Sequence, residues 1–175
     1  YGKVTPEEVA AQQKHLTHFQ QSLLEATLKR FNILFDGGLG HYTKRKIHLD
    51  VDPHHVPIHS KPYSVPKVHE EIFKKELQHL IEIGVLRPIG ATEWACPTFI
   101  IPKKPDADGT QRVRWISDMR ELNKALKRKV FPLPNIQDVI TKRSGYTYFT
   151  KLDLTMMYYA LELDETSQEL CTIVT

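Results

Sequence analysis

Leu16, Phe19, Leu23, Leu24, Leu28 and Phe31 recur at helical spacing, and Thr5-Pro6-Glu7-Glu8 ahead of them reads as a capping box with proline at the first helical position. One long amphipathic helix is expected from there to near Phe35, where Asp36-Gly37-Gly38 breaks it. Ile47, Leu49 and Val51 then alternate with polar residues as a short strand does. Four prolines, Pro53, Pro57, Pro62 and Pro66, remove amide donors and favour an extended strap on the surface. Residues 69–84 carry the clearest helix, with Ile72, Phe73, Leu77, Leu80 and Ile81 on one face and Gly84 as a stop before Pro88. Thr98-Phe99-Ile100-Ile101 and Val113-Arg114-Trp115-Ile116 flank the turn-rich Asp106-Ala107-Asp108-Gly109 and predict a hairpin. A short helix follows within 118–126 and another from about Ile136 to Arg143, with strands over 146–154 and 158–163. There is no internal repeat and no low-complexity tract.

At 175 residues, 41% hydrophobic and 26% charged, the chain has the composition of an ordinary folded domain with a core. No apolar run approaches the roughly 18 to 20 residues of a membrane span, and the start Tyr1-Gly2-Lys3-Val4 has no signal-peptide character. Both ends read as cuts through something longer. Cys96 and Cys171, the only cysteines, fit a reducing compartment and supply neither a disulfide framework nor a metal knuckle. The net charge of +3 is mild, but its distribution is not: between Lys103 and Lys129 nine basic residues stand against four acids. That local excess points to phosphate as a partner.

The candidate chemistry sits in two places. Lys103, Lys104 and Arg114 on the hairpin offer point charge and forked donors to phosphate oxygens, and Arg112 shares a face with Arg114 because alternate strand residues do. A merely solvated basic hairpin is the other reading of those residues. Asp153 closes the apolar-aromatic run Tyr146 to Leu154; a buried unpaired carboxylate is costly, so it either faces water or holds a cation. One carboxylate cannot complete a two-metal phosphoryl-transfer site. Asp164 reads as a turn or helix cap. His48, Asp50, Asp52, His54, His55 and His59 have no metal-ligand spacing, since Pro53 and Pro57 forbid the helix that would align His55 with His59. Gly37-Gly38-Leu39-Gly40 lacks the preceding strand of a phosphate-binding loop.

Glu93-Trp94-Ala95-Cys96-Pro97-Thr98-Phe99-Ile100-Ile101-Pro102-Lys103-Lys104, Arg114-Trp115-Ile116-Ser117-Asp118-Met119-Arg120-Glu121-Leu122-Asn123-Lys124, Phe131-Pro132-Leu133-Pro134 and Phe149-Thr150-Lys151-Leu152-Asp153-Leu154 together resemble the N-terminal half of a gypsy-type LTR-retrotransposon reverse transcriptase. The resemblance is colinear from about residue 45 to 175, and Phe35 to Gly40 is similar to the segment ahead of the polymerase. It implies an α+β, right-handed-polymerase fragment of fingers and partial palm over 69–175, preceded by a helical appendage at 1–45 and the Pro-rich strap at 46–68. It further implies an RNA-directed DNA polymerase, Mg²⁺-dependent through two ions in its full-length form. The partners would be an RNA template, a DNA primer, deoxynucleoside triphosphates and the remainder of the Pol polyprotein, with no membrane. The expected setting is intracellular, in a cytoplasmic virus-like particle or the nucleus.

Residue by residue, the resemblance places Lys103 at the outer phosphates of the incoming nucleotide and Arg114 nearer its sugar. Lys104, Arg112 and Arg120 become nucleic-acid or structural support. Asp153 takes the position of the first catalytic aspartate and metal ligand, the Leu154 carbonyl that of a second ligand, and Tyr158 that of the gate against a ribose 2′-hydroxyl. Met156-Met157 depart from the small and glycine residues the family often carries there. Two of the family's three catalytic carboxylates have no counterpart in this stretch, so the isolated chain is expected to be inactive. The alternative reading is a catalytically dead remnant that binds nucleic acid or oligomerises.

Overall fold

Alternation around Phe99 and Trp115 does produce a hairpin: β1 (Cys96–Pro102) and β2 (Val113–Ser117) pair antiparallel, with Phe99 opposite Ile116, Ile100 opposite Trp115 and Ile101 opposite Arg114. The computed structural model describes residues 5–105, 109 and 111–175; the expected turn residues Asp106, Ala107 and Asp108 lie outside the described residues, as do Tyr1 to Val4. The chain divides into two units, one of Tyr1–Lys44 with Asp153–Glu162 and one of Arg45–Leu152 with Leu163–Thr175.

In the larger unit, β3 (Ile173–Val174) adds in parallel to the other edge of β1, giving the order β2-β1-β3. Helix α3 (Glu70–Glu82) starts with Glu70 and Glu71, whose charges suit the positive end of the helix dipole. It stops as its sequence indicates. Gly84 takes φ 76°, its amide bonds to the Ile81 carbonyl at 3.0 Å, and the Val85 amide reaches the Leu80 carbonyl at 2.9 Å. This pair of bonds is a Schellman motif, and Val85 and Leu80 share the apolar contact that accompanies it. The buried face of α3 meets the hairpin where the Phe73 and Trp115 rings stack at 4.9 Å and 21°. Around them gather Leu80, Val65, Leu77, Ile100 and Ile173.

A second apolar cluster joins Trp94 and Cys96 to Leu122 and Ala125 of α4 (Arg120–Ala125), with Val51, Ile58 and Leu170 packed against it. Leu170 ends α6 (Glu165–Leu170), whose N-cap is Asp164: its carboxylate accepts from the Ser167 amide at 2.9 Å, so the cap read from the sequence forms. Ile47 and Val51 make one bridge each, to Leu163 and Leu126, in place of the expected strand. Within the proline segment, His59 bridges Ala95. Helix α5 (Ile136–Thr141) begins where Asn135 caps the Gln137 amide at 2.9 Å and buries no residue.

Two further strand expectations fail. Residues 146–154 form no strand, and Tyr146, Tyr148, Phe149, Leu152 and Leu154 stand exposed. β-propensity needs a neighbouring strand to express it, and among the described residues no strand lies in register beside this run. Residues 158–163 likewise form no strand; Met157–Ala160 is a 3₁₀ turn and Leu163 makes only its single bridge.

In the smaller unit the single long helix is two: α1 (Pro6–Gln12), capped by Thr5, and α2 (His18–Arg30). Thr17 interrupts the run because its hydroxyl accepts from the Gln20 amide at 3.3 Å while the Gln20 side chain takes the Thr17 amide at 2.8 Å, a complete capping box. Lys29 of α2 ties the two helices by pairing with Glu7 at 2.8 Å and Glu25 at 2.6 Å. After a 3₁₀ turn at Asn32–Phe35, the Asp36 carboxylate accepts from the Gly38 amide at 2.7 Å and the chain breaks as expected. Tyr42 then donates its amide to the Ala160 carbonyl at 2.9 Å. Among the described residues no helix is long and apolar enough to cross a membrane.

Leu80 is 1% exposed at the centre of the α3 cluster, so Leu80→Ala is expected to cost about 3 kcal/mol. Urea denaturation followed by tryptophan fluorescence checks it, and a midpoint unchanged from wild type would show that α3 does not carry the core.

Candidate functional site

The hairpin continues past its strands: the Lys103 amide donates to the Arg112 carbonyl at 2.8 Å, and the Gln111 side-chain amide donates to the carbonyls of Lys103 at 2.6 Å and Arg112 at 2.9 Å. Three short bonds therefore fix the backbone that carries Lys103, Lys104 and Arg112. Lys103, Lys104, Arg112 and Arg114 are all exposed. Alternation explains the arrangement, since Trp115 turns into the core and Arg114 away from it. Among the described residues Lys103, Lys104 and Arg114 have no carboxylate partner.

At the opposite end of the hairpin the Asp118 amide donates to the Pro97 carbonyl at 2.8 Å. The Asp118 carboxylate accepts from Arg120 Nε at 2.8 Å, Arg120 Nη2 at 2.7 Å and the Tyr63 hydroxyl at 2.8 Å. Arg120 first, and then Tyr63, hold this carboxyl far below the usual range, and Asp118 in turn pushes Arg120 up. The Tyr63 ring stands edge-on to Phe99 at 5.7 Å. The resemblance implies a support role for Arg120; Tyr63 and Asp118 join it only through the fold. Asp118 and Arg120 are two residues apart and legible as a pair, whereas Tyr63 lies 55 residues upstream and gives no local signal.

The smaller unit holds Asp153, Leu154 and Tyr158. Tyr158 is 82% exposed on the 3₁₀ turn, just after Met156 at φ 52°. That left-handed conformation favours glycine, and a side chain there is strained. Among the described residues no group of three or more histidines, cysteines or acids is placed to hold a metal ion. Asp153 alone does not fit a Mg²⁺ pair, which needs several oxygen ligands. Asp153, Leu154 and Tyr158 thus fall in one unit, and Lys103, Lys104, Arg112, Arg114 and Arg120 in the other.

Several other titratable groups make structural contacts. His48 Nδ1 lies 2.6 Å from Asp164 Oδ2 and its Nε2 3.4 Å from Asp50 Oδ1, Asp50 also pairs with Lys129, and the His55 ring stacks on Trp94. Burial raises the Cys96 thiol and pushes Cys171 up to about 11, which keeps both thiols protonated and unreactive.

No family model matches the chain. Among curated proteins it is 36% identical over 159 residues to the Caenorhabditis elegans "Uncharacterized protein K02A2.6", covering 89% of this chain and 12% of that protein. It is 30% identical over 155 residues to the "Retrovirus-related Pol polyprotein from transposon 297" of Drosophila melanogaster, covering 87% of this chain and 14% of the polyprotein. Among solved structures the prototype foamy virus protease-reverse transcriptase matches with a TM-score of 0.75 at 20% identity, over 94% of this chain and 22% of that one. The foamy viral protease-reverse transcriptase in complex with dsDNA matches with a TM-score of 0.71 at 14% identity, over the whole of this chain and 37% of that one. The fold is thus a mixed α+β fold shared with part of a retroviral protease-reverse transcriptase. The chain is an LTR-retrotransposon Pol-related protein, and it spans about an eighth of the length of these two curated relatives.

Asp164 is held down to about 2, first by the Ser167 side chain, then by the Ser167 amide and His48. A depressed carboxyl contributes stability that is present above its unfolded pKa of about 4 and lost as pH falls through its folded value. Asp164→Asn, which keeps a capping acceptor but not the charge, is therefore expected to be less stable than wild type near neutral pH. The gap should close as pH falls towards about 2, read from thermal midpoints across the acid range. A gap that stays constant with pH would remove the charge from the account.

Proposed function

We propose that the chain is the fingers and first palm portion of an RNA-directed DNA polymerase, with the hairpin gripping the triphosphate of an incoming deoxynucleotide. Lys103 meets the outer phosphates and Arg114 those nearer the sugar, while Lys104 and Arg112 add charge for nucleic acid and Arg120 gives support. Asp153, with the Leu154 carbonyl beside it, supplies ligands to Mg²⁺ in the complete polyprotein, the rest of which brings the other carboxylates. Tyr158 bars the ribose 2′-hydroxyl. An RNA template, a DNA primer and the remainder of Pol are the partners of this reading.

One observation carries the proposal: a backbone-fixed hairpin end that presents Lys103, Lys104 and Arg114 without carboxylate partners among the described residues. A solvated basic surface needs no such fixing; a phosphate site does, because pre-set donors lose less entropy on binding. The dsDNA complex of the foamy viral relative supports nucleic acid as the partner class.

Binding of a labelled RNA–DNA duplex, followed by anisotropy, is expected to weaken steeply between about 50 and 200 mM salt as counterions are released. Lys103→Ala and Arg114→Ala should each lower the slope of log K against log salt by about one. Salt-independent binding, or slopes that ignore both substitutions, would defeat the reading.

Primer extension by the isolated chain with Mg²⁺ or Mn²⁺ is expected to be absent, because Asp153 leaves any ion short of ligands. Extension that Asp153→Asn abolishes would place a full catalytic site in this stretch. In the intact polyprotein the same substitution separates a polymerase from a non-catalytic binding module, since only the polymerase loses extension.

A further inference from the structure

Met156 holds a left-handed φ of 52°, while the other positions of positive φ among the described residues, Gly37, Gly84, Gly109 and Gly145, are all glycines. For a residue with a side chain that conformation is disfavoured about tenfold or more in population. Such a residue persists where its surroundings over-determine it. Met156 stands at the entry of the 3₁₀ turn Met157–Ala160, which carries Tyr158. Within the turn the Tyr159 amide donates to the Met156 carbonyl at 2.9 Å and the Leu161 amide to the Tyr158 carbonyl at 3.3 Å. Both bonds lie beyond the N–Cα bond of Met156, so neither sets its φ.

A segment from far upstream meets the exit of the turn. Tyr42 donates its amide to the Ala160 carbonyl at 2.9 Å, and a Cβ added to Gly40 would lie 3.8 Å from that of Ala160, an ordinary contact distance. Asp153–Glu162 accordingly joins Tyr1–Lys44 in one compact unit. The upstream segment is itself fixed at its start, where Gly37 turns with φ 82° and the Asp36 carboxylate accepts from the Gly38 amide. Rotation of Met156 to an ordinary φ would swing the whole turn about that N–Cα bond and carry the Ala160 carbonyl away from Tyr42. Burial does not demand the contact, because Gly40 and Tyr42 are exposed and water would satisfy the Tyr42 amide. What the contact supplies is a fixed exit for a turn whose entry is strained. Tyr158 is 82% exposed, so packing does little to place its ring and the turn does most.

We infer that residues 39–42 are a positioning brace: by holding Ala160 they keep the turn 156–160 in its strained form and so set where the Tyr158 ring stands. This rests on the sugar-gate role proposed for Tyr158 and adds that sugar discrimination depends on residues of the helical appendage.

Amide hydrogen exchange of the purified chain, resolved residue by residue, tests the hold. Tyr42→Pro removes the donor and should lower the protection of the Tyr159 amide about tenfold, the margin by which strain at Met156 opposes the turn. Tyr42→Ala keeps the donor and should leave that protection as it was. Adding Met156→Gly to Tyr42→Pro should restore it, because glycine adopts a left-handed φ without strain. The Gln21 amide of α2, bonded to the Thr17 carbonyl at 2.9 Å, should keep its protection in every variant, which shows that the appendage stays folded.

In the intact polyprotein the same variants are read as the ratio of kcat/KM for a deoxynucleotide over a ribonucleotide. Tyr42→Pro should narrow the ratio about tenfold, Tyr42→Ala should not, and Tyr42→Pro should add nothing in a Tyr158→Ala background. Unchanged Tyr159 protection in Tyr42→Pro, equal loss in Tyr42→Ala, or no recovery on adding Met156→Gly overturns the brace. So does a ratio that Tyr42→Pro leaves at its wild-type value while Tyr158→Ala narrows it. If Tyr158→Ala itself leaves the ratio unchanged, the gate falls and with it the effect on sugar choice, while the exchange result decides the hold by itself.

Discussion

Trp94 through Thr98 are buried in succession, and a buried backbone must find a hydrogen-bond partner for its polar groups. That demand organises the larger unit. The Ala95 amide takes the Ile58 carbonyl at 2.8 Å and the Ala95 carbonyl takes the Ser60 amide at 2.9 Å; the Cys96 amide takes Thr172, and the Pro97 carbonyl takes Asp118. The Thr98 hydroxyl finishes the set on the Val174 carbonyl at 3.0 Å. Segments far apart in sequence, around 58–60, 117–118 and 172–174, meet at one strand and satisfy it. The two apolar clusters and the hairpin that carries the basic residues are built around that strand.

How much of this was legible depended on how local its cause was. Helix α3 is written in the spacing of Phe73, Leu77 and Leu80 and in Gly84, all within a few turns. The hairpin is written in alternation, which also put Arg114 outward and Trp115 inward. The break at Thr17 was legible too, in Thr17-x-x-Gln20, but the apolar spacing of Leu16, Phe19 and Leu23 outweighed it. What the sequence could not show was pairing. Residues 146–154 have the composition of a strand without a neighbour, and β3, only two residues long, exists because of Cys96 and Pro97. At the candidate site the same rule holds: Lys103, Arg114 and the Asp118–Arg120 pair announce themselves, while Tyr63 does not.

The structure also sorts the basic residues that sequence merely counts. Arg120, Lys124 and Lys129 are taken by Asp118, Glu121 and Asp50. Lys127 lies near enough to Asp50 to help lower its carboxyl, after Lys129 has done so. Lys103, Lys104, Arg114 and Arg128 have no such partner among the described residues. Three of these four, Lys103, Lys104 and Arg114, stand on the hairpin, which is a more informative statement than a net charge.

The chain has two tryptophans, and each lies in a different apolar cluster of the larger unit, Trp94 beside α4 and Trp115 against Phe73 of α3. Helices α1 and α2 and the turn bearing Tyr158 contain none. Replacing one indole at a time by phenylalanine turns the molecule into its own pair of optical reporters. Loosening on the α3 side could then be followed separately from loosening on the α4 side, without attaching a dye.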